Sequence, residues 1–124
     1  YTANFMQYGF TPGFGATFYL PKHLGAVLAH EMLYTGDRYT GGELAKRHVS
    51  VPIYKHSEVL LAALKFAQQL AEKPRSFLVG LKKAVIARDE ERFRRVIHEE
   101  LRMHDITFHQ PEVLGKISEQ FGAL

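Results

Sequence analysis

Gln7-Tyr-Gly-Phe-Thr-Pro-Gly-Phe-Gly-Ala-Thr-Phe18 decides how the rest of the chain is read. Three glycines and a proline punctuate an aromatic-rich run, so the backbone must turn tightly while several rings stay free to line a wall. Such a segment belongs in the middle of a domain, ahead of a helix. Here it stands almost at residue 1, with no initiator Met and no signal-peptide pattern. The expectation is a chain that starts partway through a protein. The spacing Gly9, Gly13, Gly15 is not a P-loop, since no Lys-Ser/Thr pair follows, and not a dinucleotide fingerprint. Tight turns that let a helix pack closely account for it better.

Working outward, 124 residues suffice for one domain and not for two. With 46% hydrophobic and 23% charged residues the composition is that of an ordinary globular domain rather than a disordered chain. No apolar run approaches the roughly 18 residues that span a bilayer, so no membrane is expected. The absence of Cys excludes a disulfide framework, thiolate catalysis and thiolate metal sites, and fits a reducing cytoplasm. A net charge of +3 without a dense Lys/Arg stripe gives no case for nucleic acid as a partner.

The pattern is mainly helical. Pro21 opens a predicted helix over 22–35 that Gly36 closes, with Leu24, Val27, Leu28 and Met32 on one face and Glu31 off it. Thr40-Gly-Gly-Glu43 has capping-box spacing and starts a short helix through Lys46. The β-branched run Val49–Tyr54 reads as a short extended segment that Pro52 confines to an edge or a linker. Ser57 caps a helix to about Glu72 that carries Val59, Leu60, Ala63, Leu64, Ala67 and Leu70 inward. Further helices are expected over 76–87, over 89–107 with Asp89, Glu90 and Glu91 in the first turn, and from Pro111 with Val113, Leu114, Ile117 and Phe121 on one face. These helices could form a small bundle. The glycine-rich front and the very short helix at Thr40 suit the second half of a larger layered α/β domain better.

Few residues offer chemistry. Seven histidines include no i, i+4 pair on one helix, and His30-Glu31 lacks the second His of a zincin helix, so no metal site is expected. His104 recurs with Phe93, Val96, Ile97, Leu101 and Phe108 at steps of three and four, on an apolar face. Two roles stay open for it: a core residue satisfied by one hydrogen bond, or a partly buried imidazole that moves a proton. His98 is most simply solvated. Lys82, Lys83, Arg88, Arg92, Arg94 and Arg95 form a helix surface that could meet a phosphate or an acidic protein.

Taken in order, Gly9-Phe-Thr-Pro-Gly13, Pro21-Lys-His-Leu-Gly25, Glu31-Met-Leu-Tyr-Thr-Gly36, the short helix over 42–47 and Ala71-Glu-Lys-Pro74 before a Lys-bearing helix resemble the C-terminal half of the crotonase (enoyl-CoA hydratase/isomerase) superfamily. The segments 1–18 and 99–113 are similar to the crotonase-type decarboxylases of polyketide β-branching cassettes. The resemblance implies the C-terminal half of an α/β crotonase-like fold, predominantly α-helical here with short extended segments. It implies that 1–124 is part of one domain, with 1–56 ending the α/β core and 57–124 forming a helical oligomerisation region.

It also implies an activity. The substrate is 3-methylglutaconyl on the phosphopantetheine of an acyl carrier protein, and loss of carbon dioxide leaves the 3-methylcrotonyl thioester. Two backbone N–H groups hold the thioester oxygen as an enolate forms, so no metal or redox cofactor is needed. A Lys engages the departing carboxylate, His104 is the catalytic residue of this half, and Phe5, Tyr8 and Phe108 wall the substrate pocket. Phe5 stands where hydratases carry one of two catalytic glutamates, and a phenyl ring cannot activate water. The Lys and both oxyanion donors belong to the N-terminal half, which this sequence does not include, so these residues alone are expected to be inactive. A homotrimer or dimer of trimers is the implied assembly. Two alternatives stand beside this: an enoyl thioester hydratase or dehydratase, and a non-catalytic module for oligomerisation or carrier-protein docking.

Overall fold

Residues 1–121 are described by the computed structural model, without the side chains of Gln120 and Phe121. A 3₁₀ turn over Asn4–Tyr8 precedes seven helices: α1 (Ala16–Leu24), α2 (Ala26–Thr35), α3 (Gly41–Lys46), α4 (His56–Ala71), α5 (Arg75–Ala87), α6 (Glu90–Thr107) and α7 (Pro111–Phe121). The described residues contain no sheet, only an isolated antiparallel bridge between Thr2 and Arg38. Residues 49–54 are an irregular connector, as Pro52 foretells. No helix among the described residues is long and apolar enough to cross a membrane.

The core lies in the first 53 residues. Ala3, Leu28, Met32, Leu33 and Leu44 are buried together, with Phe5, Leu20, Leu24, Val49 and Ile53 packed around them. Leu28 and Met32 point inward as their spacing predicts, but Val27 is 79% exposed. The inward face of α2 runs through Leu28, Ala29, Met32 and Leu33, about one residue round the helix from the expected stripe. Thr40 and Glu43 form both halves of the predicted capping box, which fixes the start of α3. Gly36 closes α2 at φ 69°.

Helix α1 departs from expectation. It starts at Ala16 and carries Pro21 in its interior, and the helical path breaks only at Gly25, where α2 begins. Proline at an interior position removes an i→i−4 hydrogen bond, so the cost must be met by packing. Phe18 supplies that packing: it is buried, with Phe93 of α6 at 5.6 Å and the Lys22 and Arg92 cations at 5.5 and 5.7 Å from its ring. Lys22 also pairs with Asp89, tying the end of α1 to the start of α6.

The predicted inward stripe of α4 is not buried. The helix forms, but none of its residues is buried, and Leu60 is 70% exposed. Its N-cap is Lys55 rather than Ser57, which lies inside the helix. Helix α5 likewise buries no residue. On α7, Val113 is buried and Leu114 exposed, while the side chain of Phe121 lies outside the described residues.

One ionic clamp closes the front of the fold. Arg47 donates to both Glu31 oxygens at 2.8 and 2.6 Å, and the Tyr39 hydroxyl donates to the same carboxylate at 2.6 Å. The arginine bonds first, then the tyrosine bond, lower the Glu31 pKa from 4.5 to about 2. The Tyr39 phenol is pushed up, mainly by the same bond. A depressed carboxyl pKa stabilises the fold above the unfolded value and loses that effect as pH falls through the folded one. Glu31→Gln is therefore expected to flatten the fall in melting temperature between pH 4.5 and about 2, read by circular dichroism. An unchanged profile would show that the clamp does not hold α2 to α3.

Candidate functional site

Helices α1 and α6 meet where a carboxylate is buried. Glu100 is 2% exposed, and its oxygens accept from Gly15 N–H at 2.7 Å, Thr17 N–H at 2.9 Å and the Thr17 hydroxyl at 2.6 Å. The first turn of α1 has no acidic residue and no local side-chain cap. Glu100 supplies both from more than eighty residues away, where the positive end of the helix dipole favours an anion. Gly15 sits at φ 77°, and a Cβ there would lie 2.6 Å from the Phe93 ring. Only glycine suits both the turn and the packing.

One helical turn beyond Glu100, His104 is half-buried on the same face of α6. The inward side of α6 carries Phe93, Val96, Ile97, Glu100, Met103, His104 and Thr107, whereas Leu101, placed on that face by periodicity, is exposed. His104 Nε2–H donates to the Thr11 carbonyl at 2.7 Å. A carbonyl can only accept, so the neutral ring carries its proton on Nε2. The ring lies against the backbone of buried Gly13, where an added Cβ would come within 2.4 Å of Cε1. Gly13→Ala is thus expected to displace the ring and to cost about 1–3 kcal/mol. Urea unfolding together with the His104 Cε1–H NMR resonance reads both effects, and an unmoved resonance would refute the contact.

The structure brings the four predicted site residues together around a fifth that spacing did not single out. Phe10 stacks on Phe108 at 4.7 Å and on Tyr8 at 6.0 Å, and meets Phe5 and His104 edge-on at 6.2 and 6.3 Å. His104 also meets Phe108 edge-on at 5.1 Å. These T-shaped and offset arrangements are the favoured ones for aromatic rings. Phe108 remains 44% exposed, so the cluster opens to the surface on one side. Phe14 points away into solvent. The tight Gly9–Gly15 turn, which groups these rings, was the only signal in the sequence for Phe10.

A cavity of about 270 Å³ lies beside this cluster, lined by Met6, Thr11, Pro12, Thr17, His30, Leu33, Tyr34 and Met103. None of Phe5, Tyr8, His104 or Phe108 lines it, but Thr11 belongs to both, since its carbonyl holds His104. A larger space of about 1100 Å³ between α5 and α6 is an open seam that His104 does not line. We place the candidate site at the aromatic cluster because it joins a titratable ring to an apolar wall. Among the described residues no group of three His, Cys, Asp or Glu side chains could hold a metal ion.

Residues 1–119 match the enoyl-CoA hydratase/isomerase family. The bacillaene synthase decarboxylase PksI of Bacillus subtilis (strain 168) is 50% identical over 122 residues, which cover 98% of this chain and 49% of that protein. A solved structure from a dehydratase/decarboxylase enzyme couple involved in polyketide β-branching is 50% identical, with a TM-score of 0.90 over 98% of this chain and 50% of the other. The ECH2 decarboxylase domain of CurF from Lyngbya majuscula is 41% identical, with a TM-score of 0.88 over 98% of this chain and 50% of that one. The chain therefore spans about half the length of the relatives it matches. Tandem glycine turns, a buried helix-capping glutamate and a histidine set among rings thus sit in a chain that belongs to the enoyl-CoA hydratase/isomerase (crotonase) family and is closely related to the polyketide β-branching decarboxylases.

Proposed function

We propose that this chain contributes the C-terminal part of a decarboxylase that converts 3-methylglutaconyl-acyl carrier protein to 3-methylcrotonyl-acyl carrier protein. One observation carries the reading over hydration. The buried carboxylate near His104, Glu100, is engaged in capping α1, and the rings around His104 carry no carboxylate, so among the described residues the cluster lacks the glutamate that a hydratase uses to activate water. Loss of carbon dioxide from the thioester leaves a dienolate. The electron pair of the broken C–C bond enters the thioester-conjugated system, and a proton then forms the new C–H bond. His104 supplies or orients that proton, and Phe5, Tyr8 and Phe108 with Phe10 keep water away. Backbone oxyanion donors and a Lys from the other half of such a domain complete the site.

In this reading 1–56 close the core of the domain and 57–124 form the helical region of subunit assembly, as a trimer or a dimer of trimers, while α6 within it also carries His104 to the site. The exposed apolar faces of α4 and α5 favour that second role. The acyl carrier protein is the partner that presents the substrate. The test is the native polypeptide that carries this sequence, incubated with 3-methylglutaconyl-carrier protein and followed by intact mass. Loss of carbon dioxide supports the reading. Gain of water points to a hydratase, and an unaltered thioester leaves an assembly module.

A further inference from the structure

We infer that Thr107 is a positioning residue whose hydroxyl clamps the Thr11 peptide, so that the Thr11 carbonyl fixes His104 as the Nε2–H tautomer and leaves Nδ1 as the nitrogen that exchanges protons. The inference rests on the reading of His104 given above, and extends it to a residue that touches neither substrate nor the imidazole.

The clamp is built from three bonds at one oxygen. Thr107 Oγ1 accepts from the Thr11 N–H at 3.3 Å, lies 3.2 Å from Thr11 Oγ1, and donates to the Met103 carbonyl at 3.1 Å. Because its own proton goes to Met103, the Thr11 hydroxyl is the donor in the second bond, and the bonding is satisfied with one proton per contact. Thr107 thus grips both polar groups of Thr11 that face away from its carbonyl. That carbonyl, 2.7 Å from His104 Nε2, is held on the imidazole, which stands one turn before Thr107 on α6. Gly13 and the Phe10 and Phe108 rings bound the imidazole on its other sides.

Nδ1 has no hydrogen-bond partner among the described residues. No buried side-chain nitrogen or oxygen there lacks a partner either, so Nδ1 opens to the surface. This division suits proton delivery. The Thr11 carbonyl accepts from Nε2–H whether the ring is cationic or neutral, so only the Nδ1 proton is exchanged. After it passes to the dienolate carbon, the ring is left as the tautomer seen here. A ring free to turn would offer either nitrogen, and half its orientations would present the wrong one.

The test uses the native polypeptide with ¹⁵N-labelled histidine, at a pH where His104 is neutral. The tautomer is read from its two ring-nitrogen NMR shifts, with decarboxylation measured alongside. The native protein is expected to show Nε2–H and a pyridine-like Nδ1. Thr107→Val should mix the tautomers and lower kcat about tenfold, the worth of one hydrogen bond, with KM little changed. Thr107→Ser should restore both. Thr11→Val keeps the peptide bond to Thr107 and loses only the hydroxyl contact, so it should give a smaller shift in the same direction should Thr107→Val fail to fold. A native Nδ1–H ring, or a tautomer that neither Thr107→Val nor Thr11→Val disturbs, overturns the inference. A disturbed tautomer with undiminished decarboxylation supports the clamp and counts against the catalytic reading of His104.

Discussion

Glu100→Ala is expected to destabilise the protein by about 3–5 kcal/mol, because Glu100 is the buried charged side chain among the described residues. The carboxylate is buried and accepts three hydrogen bonds, two of them from the backbone at the head of α1. Removing it strands the Gly15 and Thr17 N–H groups, each worth roughly 1–3 kcal/mol when left unpaired away from water. It also takes away the anion at the positive end of the helix dipole, worth about another 0.3–2 kcal/mol. Against a typical domain stability of about 5–15 kcal/mol the sum is a large fraction. Glu100→Gln should cost less, about 1–2 kcal/mol, because the amide oxygen still accepts while the NH₂ faces donors. Glu90→Ala is the control: its pair with Arg94 is exposed and should matter by no more than about 0.5 kcal/mol. Urea unfolding of the three variants gives the order. Equal losses for Glu100→Ala and Glu90→Ala would mean that α1 does not depend on this cap.

The same contact explains what sequence could and could not reveal. The α3 capping box joins residues three apart, and Thr40 and Glu43 were enough to place that helix. The cap of α1 comes from Glu100, so local spacing offered only Pro21 as a start and put the helix five residues late. Periodicity also names a face without naming what it packs on. Leu28 and Met32 meet the core, whereas the equally regular stripe of α4 stays exposed. At the site, spacing set His104 on the inward side of α6 and resemblance gave Phe5, Tyr8 and Phe108. Phe10 and Thr107 escaped, because their roles arise only when a turn near residue 10 folds onto a helix some ninety residues later. Glu100 escaped for a related reason: a charge amid apolar residues reads as solvated until its buried partners are known.

His104→Ala should reduce decarboxylation by roughly 10²–10⁴-fold, the range that a positioned proton-transfer group supplies. The same substitution removes the bond to Thr11 and opens space beside Phe10 and Phe108, so some stability is lost as well, about 1–2 kcal/mol. The two effects separate by size. A loss of 1–2 kcal/mol leaves the protein folded well below its melting temperature, and it cannot account for a rate loss of two orders of magnitude or more there. His104→Phe sharpens the distinction, since it keeps an aromatic ring in the cluster but has no nitrogen to exchange a proton. If His104 acts in the reaction, both variants lose the activity, and His104→Phe does so with less loss of stability. If the ring only fills the core, His104→Phe keeps a rate near native and the imidazole serves to hold the Thr11 turn against α6. Measuring initial rates on the carrier-bound substrate at fixed temperature, next to each variant's unfolding curve, decides between an imidazole that moves a proton and one that merely packs.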